Sequence, residues 1–317
     1  MLKRIKERIE EGNRFLITTH IDLDGDAVGS VFCFYWLLKN CKKDAFVYLR
    51  DQVPYKYRFL PGPDDKRLFF KELPLEKYDT VFVLDCGDLH RIGGNYEALR
   101  DNGFIVNIDH HNTNSGFGNI NLVVPDSSST AEIVYDLICF LNVEITQEMA
   151  INIYTGVLTD TGSFRYENTN PKAFSICAKM TEIGVKPAYV AQKVYESHPK
   201  ERFFILGKVL NTLEAYKNGK IVIAHVTRDM AEDNYSLEEF TDGFVEFIKE
   251  MDGIEIAVLI RQIEDNKYKI SMRSKGNGDV SEICSIFGGG GHKKAAGCYI
   301  NGDLNEVKKK LLEVIKD

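Results

Sequence analysis

The chain has 317 residues, 44% apolar and 27% charged, the make-up of a soluble globular protein long enough for two domains. Lys and Arg number 40 against 47 acidic residues, a formal charge of −7, which speaks against a binder of long DNA or RNA but leaves room for a small phosphate-bearing ligand in a local basic pocket. The seven cysteines (33, 41, 86, 139, 177, 284, 298) are odd in number and lack CxxC spacing. With no apolar run near the ~20 residues that span a bilayer and no apolar signal core at the N-terminus, they fit reduced thiols in a cytoplasmic protein without a membrane partner.

In chain order, RFLITTH (14–20) reads as a strand, and AVGSVFCFYWLLKNC (27–41) as a buried helix with Val28, Phe32, Tyr35 and Trp36 at helical spacing. AFVYLR (45–50), YDTVFVLDCGD (78–88) and GFIVNIDHH (103–111) are further strands; the last two are apolar on both faces and end in charged residues, as in a parallel sheet covered by helices. SSTAEIVYDLICFLN (128–142), TQEMAINIYTGVLTDTG (146–162) and PKAFSICAKMTEIG (171–184) are helices, the third with Pro at its start and Gly just past its end. This alternation predicts an α/β fold with an N-terminal parallel sheet carrying helices on both faces. Pro187 and Pro199 bracket linking helices. A smaller α/β unit follows: strands at 220–227 and 254–262, a hairpin partner at 267–274 reached through Glu264–Asn266, a short helix in GDVSEICSIF, the run GGGGHKKAAG, and a helix at 304–316. The expected domains are 1–185, a linker at 186–218, and 219–317, with a cleft between the two domains.

HIDLDGDAVGS places His20, Asp24 and Asp26 where a buried strand gives way to a helix, the edge at which open α/β sheets bind ligands. One Asp could cap the helix, but a His and three Asp exceed what a cap needs. Asp85 follows four apolar strand residues, and NIDHHN ends another strand with Asp109, His110 and His111. Adjacent imidazoles point apart, so one of the two histidines faces a given metal. Asp160, near the end of an apolar helix, sits where the helix dipole disfavours an anion. Four carboxylates and two imidazoles (His20, Asp24, Asp26, Asp85, His110, Asp160) thus gather at one margin. Unpaired buried charges would shift their pKa or leave the interior, and two divalent cations would neutralise four carboxylates. Mixed O/N ligation without thiolate suits Mn²⁺, with Co²⁺, Fe²⁺, Zn²⁺ and Mg²⁺ as competitors. In FGGGGHKKAAGC, Gly288, Gly289, Gly290 and Gly291 let backbone N–H groups close on an anion, beside His292 and with Arg273 at a nearby strand end to clamp phosphate. A plain flexible linker is the ordinary alternative for such a run.

Together these motifs resemble the DHH phosphoesterase superfamily, whose Asp-His-His stands here at 109–111. HIDLDGDAVGS, LDCGD, NIDHHN and TDTGSFRY are similar to its first four motifs, and SMRSKG, DVSEIC and GGGGHKKAAG to the DHH-associated C-terminal domain. Leu23 departs from the proline many members carry there. The subgroup most resembled comprises hydrolases of short oligoribonucleotides and 3′-phosphoadenosine 5′-phosphate, and phosphodiesterases of cyclic di-AMP or linear pApA. The resemblance implies one metal on His20, Asp24 and Asp85 and another on Asp26, Asp85, His110 and Asp160, with Asp85 bridging. It implies His111 and Asp85 in catalysis, and Arg165, Arg273, His292 and the glycines on the substrate. The expected products are nucleoside 5′-monophosphates; oligomeric state stays open, a homodimer included. An inorganic pyrophosphate or polyphosphate hydrolase is the competing enzyme. A non-catalytic nucleotide-sensing module is the competing binder, and retention of all six ligands speaks against it.

Overall fold

In the computed structural model, which describes residues 1–315 apart from 65, 75, 232–236 and 277, the chain divides into two units, Met1–Ser197 and His198–Asp317. The first runs α1 (Leu2–Glu11), β1 (Arg14–Thr18), α2 (Gly25–Asn40), β2 (Asp44–Leu49), β3 (Leu68–Phe70), β4 (Thr80–Leu84), α3 (Leu99–Asn102), β5 (Phe104–Asp109), β6 (Ile120–Val123), α4 (Thr130–Leu141), α5 (Gln147–Asp160), α6 (Pro171–Ile183) and α7 (Pro187–Tyr195). Its six strands lie in the order β3-β2-β1-β4-β5-β6, every neighbouring pair parallel. From β1 the chain builds outward through β2 and β3, then returns to place β4 on the other flank of β1. That reversal opens a crevice at the carboxyl ends of β1 and β4.

The strands are apolar on both faces because both faces are covered. Phe15, Ile17, Phe82 and Leu84 face the core that includes residues of α2, α4 and α5. Leu16, Tyr48, Val81 and Val83 face a second cluster with Leu89, Ile92 and Leu99. Long helices cover one side, whereas the other carries the one-turn α3 and short 3-10 turns. The edge strands β3 and β6 have only 3 and 4 residues, too few for an alternation to register in sequence. The buried helix expected at 27–41 is α2, which starts two residues earlier on the Asp24 cap.

A close crossing of α2 and α5 holds the crevice together. A Cβ on Gly29 would lie 2.6 Å from the Asn152 carbonyl oxygen and 3.2 Å from the Gly156 amide nitrogen. Two helices that each deliver an acidic residue to the crevice are thereby locked backbone to backbone.

The second unit contains α8 (Lys200–Leu210), β7 (Glu214–Tyr216), β8 (Ile221–Val226), α9 (Leu237–Thr241), α10 (Phe244–Lys249), β9 (Ile256–Glu264), β10 (Lys267–Ser274), α11 (Val280–Ile286), β11 (Gly290–His292), β12 (Ala295–Asn301) and α12 (Leu304–Val314). Its sheet order is β11-β12-β10-β9-β8-β7. The expected β9–β10 hairpin is present, turning at Asn266 with φ 58°. The expected final helix begins at Leu304 under an Asp303/Glu306 capping box; residue 316, expected as its end, lies outside the described residues. Among the described residues no helix is long and apolar enough to cross a membrane.

Gly29→Ala should lower unfolding stability by roughly 1–3 kcal/mol, because overpacking against backbone outweighs the helix-propensity gain of ~1 kcal/mol. Gly207→Ala on α8, where an added Cβ meets nothing within 4 Å, should instead raise it by about 0.5–1 kcal/mol. Urea unfolding of both variants checks the pair; equal signs would contradict the packing account.

Candidate metal centre

Strand register explains why the motif residues meet. Thr18 pairs with Tyr48 on one side and Val83 on the other, and Leu84 pairs with Ile108. Continuing these ladders brings His20, Asp85 and Asp109 to one level on three adjacent strands, ~4.8 Å apart. The Asp85 amide donates to the Ile108 carbonyl at 2.9 Å, and Asp85 takes φ 52°, a left-handed backbone that turns its carboxylate out of the ladder. Asp24 caps α2, its Oδ1 accepting from the Ala27 amide at 2.9 Å, and Asp26 lies in that helix's first turn. Asp160 is the last residue of α5.

The ligand atoms converge. His20 Nε2 lies 3.4 Å from Asp85 Oδ2 and 3.9 Å from Asp24 Oδ2. His110 Nε2 lies 3.7 Å from Asp85 Oδ1 and 3.5 Å from Asp160 Oδ2. Three groups gather donor atoms within 4.8 Å of one another: His20, Asp24 and Asp85; Asp26, His110 and Asp160; and Asp85, His110 and His111. Of the expected ligands, His20, Asp26, Asp85 and His110 are buried, Asp160 is half-buried and Asp24 exposed.

The other ring nitrogens decide what these contacts are. His20 Nδ1 faces the Ile21 carbonyl oxygen at 2.5 Å, and His110 Nδ1 faces the Ser127 carbonyl oxygen at 3.3 Å. A carbonyl only accepts, so in the neutral ring Nδ1 carries the proton and Nε2 presents a lone pair. In that state each Nε2 faces carboxylate oxygens with a lone pair that a cation could accept. The separations of 3.4–3.9 Å are long for N–H···O bonds and close to the edges, roughly 3.0–3.4 Å, of a polyhedron whose ligands lie about 2.1 Å from one ion. The donor set fits a divalent cation.

The titration shifts carry the same stress. Burial, then the neighbouring charges of Asp85, Asp160 and Asp24, pushes Asp26 well above the usual carboxylate range, although the Ala131 amide opposes this. Burial, then Asp24 and Asp85, does the same to Asp160. Burial would lift Asp85 too, but His20, His111 and His110 around it hold it below that range. His20 and His111 are raised, burial notwithstanding, through Asp85 and Asp109 respectively.

A supporting layer was not foreseen from the sequence. Asp109 is fully buried, its Oδ1 2.7 Å from His111 Nδ1 while its Oδ2 accepts from Asn114 at 2.6 Å. Thr130 donates its hydroxyl to Asp85 at 3.0 Å, and the amides of Thr130 and Ala131, at the start of α4, donate to Asp26 at 2.6 and 2.9 Å. Asn168 donates to Asp160 at 3.1 Å. Asp109 belongs to the NIDHHN motif, which gave it no role, and Asn114, Thr130 and Asn168 are marked in the sequence only by Asn, Ser and Thr beside the motifs.

The expected substrate residues fall in both units. Arg165 is exposed five residues beyond Asp160, its Nε on the Gly162 carbonyl at 2.8 Å. Arg273, on β10, is engaged by Glu246 of α10 at 2.6 Å. Gly288 and Gly289 spend their amides on the end of α11, donating to Ser285 and Cys284 at 3.0 and 2.9 Å. Gly290, Gly291 and His292 form β11 against β12. There a Cβ on Gly291 would lie 2.5 Å from the Ala295 oxygen, so close strand pairing, rather than linker flexibility, accounts for that glycine.

Residues 14–158 match the model of the DHH family, N-terminal domain, and residues 218–317 that of the DHHA1 domain. The chain is 36% identical over 302 residues, 95% of its own length and 89% of the relative's, to the bifunctional oligoribonuclease and PAP phosphatase NrnA of Thermus thermophilus. A crystal structure of an exopolyphosphatase-related protein from Bacteroides fragilis superposes with TM-score 0.89 at 26% identity, covering 99% of this chain and 94% of the other. Exonuclease RecJ bound to manganese, at 15% identity and TM-score 0.53 over 99% and 93% of the two chains, shares the fold.

The signs of the shifts fix how the metal-free protein responds to pH. For Asp26 and Asp160, raised above 3.8, and His20 and His111, raised above 6.5, the stability contribution is full below those values and lost as pH rises through the folded ones. Asp85, depressed, acts oppositely and only below 3.8. The Tm of chelator-treated protein should therefore fall as pH rises past 3.8 and on past 6.5, and Mn²⁺ should remove that fall. Asp160→Asn should raise the metal-free Tm at neutral pH and shrink the Mn²⁺-induced shift. A metal-free Tm that climbs with pH would contradict this electrostatic picture.

Proposed function

The chain belongs to the DHH family, with a DHHA1 domain as its second part, and is a metal-dependent phosphoesterase of short nucleotides; on that premise we propose what it cleaves and which residues act. The substrates are linear dinucleotides such as pApA, longer nanoRNA, cyclic di-AMP and 3′-phosphoadenosine 5′-phosphate, with nucleoside 5′-monophosphates as products. The observation that carries this reading is the convergence of Nε2 of His20 and His110 on the carboxylates of Asp85, Asp24 and Asp160, with each Nδ1 turned to a backbone carbonyl.

His20, Asp24 and Asp85 would hold one cation and Asp26, Asp85, His110 and Asp160 a second, Asp85 serving both through its two oxygens. Mn²⁺ suits this oxygen-and-imidazole set. Bound divalent cations supply Lewis acidity toward phosphoryl oxygens and a water nucleophilic at neutral pH. The protein's own part is to hold the ligands in place. Backbone carbonyls fix both imidazole tautomers, Thr130 orients Asp85, and Asn168 orients Asp160. His111, held by the buried Asp109, is positioned to hydrogen-bond the reacting phosphate. Residues 1–185 carry this chemistry, and 219–317, beyond a linker at 186–218, contribute Arg273, His292 and the glycines 288–291 to the substrate, Gly288 and Gly289 by close backbone approach rather than by their amides, with Arg165 from the first part. A short substrate needs only such local cations, in keeping with a net charge of −7. Seven free cysteines fit the cytoplasm.

Asp85→Asn should lower Mn²⁺-dependent hydrolysis of pApA at least about a thousandfold. With Mn²⁺, wild-type protein should turn over pApA and 3′-phosphoadenosine 5′-phosphate to AMP and leave inorganic pyrophosphate intact. Pyrophosphate turnover exceeding that of the nucleotides would favour the competing hydrolase instead.

A further inference from the structure

Two arginines beside the metal centre make no side-chain hydrogen bond or ion pair among the described residues. Arg50 directly follows β2, and Arg91 lies in the 3-10 turn Leu89–Ile92 after β4. Both are half-buried. Among the described residues, neither guanidinium takes part in a hydrogen bond, ion pair or ring contact. Other half-buried arginines have partners: Arg67 pairs with Asp44, Arg273 with Glu246, and Arg8 and Arg202 stack on Phe104 and Phe244.

Both belong to the crevice edge. The β1–β2 ladder that pairs Thr18 with Tyr48 brings Arg50 level with His20 two residues on, one strand spacing of ~4.8 Å away. Arg91 accepts the Ile21 amide on its carbonyl at 2.7 Å, and its charge reaches His20, where it opposes protonation. The Arg50 stem lies along two glycines in left-handed backbone. A Cβ on Gly93 (φ 73°) would lie 2.6 Å from Ile21 Cγ2 and 3.4 Å from Arg50 Cγ, and one on Gly94 (φ 59°) would lie 3.7 Å from Arg50 Nε. The chain between His20 and Asp24 is tied to the same side by the Asp22 amide, which donates to Asp51 at 2.9 Å. The acidic pocket thus has one cationic flank. Two forked donors without an internal acceptor fit a multiply charged oxyanion, which a phosphate supplies.

Building on the proposed activity, we propose that Arg50 and Arg91 bind a second phosphate of the substrate, the one that is not attacked. The first unit would then recognise one chemical unit, a nucleoside with phosphate on both its 3′ and 5′ oxygens. Linear pApA and 3′-phosphoadenosine 5′-phosphate both contain it. In both, water adds to the 3′ phosphorus and the 3′ oxygen leaves with a proton, so one recognition event serves a phosphodiester and a phosphomonoester alike.

The test compares kcat/KM for pApA and for ApA, which differ only in the 5′-phosphate, in wild type, Arg50→Gln, Arg91→Gln and Arg273→Gln. Wild type should prefer pApA. Each of Arg50→Gln and Arg91→Gln should cut that preference about tenfold or more, mainly through KM for pApA. An unchanged ratio in both, or a ratio that moves only in Arg273→Gln, overturns the assignment. If wild type cleaves neither compound, the proposed activity fails, and binding decides the subsite alone. The Tm shift given by adenosine 3′,5′-bisphosphate over that given by 3′-AMP should vanish in the Arg50 and Arg91 variants, and its persistence overturns the subsite. If a Gln variant fails to fold, the Lys variant replaces it, and partial loss of the same ratio is expected because the charge stays and the fork goes.

Discussion

Two imidazoles and four carboxylates crowded at one sheet edge are the constraint on which this structure turns. His20 and His110 each turn Nδ1 to a backbone carbonyl, which leaves Nε2 facing the acids and available to a cation. Asp26 and Asp85 are buried, and Asp26 and Asp160 are driven toward their protonated forms by burial and by neighbouring carboxylates. Such an arrangement is held against its own repulsion unless positive charge enters it. The fold maintains it through rigid parts: strand ends fixed by the ladders of β1, β4 and β5, and the locked crossing of α2 and α5 at Gly29 and Gly156.

The same edge organises charge on a larger scale. Carboxylates occupy the centre of the crevice, where cations are needed, and Arg50 and Arg91, without an ion pair among the described residues, flank it. Helix starts add to this, since the first amides of α4 donate to Asp26, placing a helix's positive end against a buried acid. A nucleotide brings negative charge that the acidic pocket alone would repel, so recognition falls to positive groups around it. That division explains how a chain of net charge −7 serves a phosphate-bearing substrate.

Much of the site could be read from the sequence because each ligand terminates an apolar run. A strand such as TVFVL followed by Asp85 announces both the parallel sheet and the charged residue at its edge. The misfit of Asp160 at a helix end was legible for the same reason, polarity against position. What the sequence did not disclose depends on tertiary approach. Asp109, Asn114, Thr130 and Asn168 carry no pattern that distinguishes a ligand-orienting residue from a turn residue. The short strands β3 and β6 lack length for a period. Gly29 and Gly156 look like weak helix positions until the crossing that requires them is seen. Arg50 reads as the end of a strand, and only the lack of a hydrogen bond or ion pair among the described residues marks it out. In the second unit, the glycine run read as an anion cradle, whereas Gly288 and Gly289 have their amides bound to the end of α11.

The most direct measurement is anomalous diffraction at the manganese edge from crystals grown with Mn²⁺. Two peaks are expected, one among His20, Asp24 and Asp85 and one among Asp26, Asp85, His110 and Asp160, each within bonding distance of an Nε2 atom. No peak in the crevice, or ions held only by exposed acids elsewhere, would contradict a centre built to gather cations.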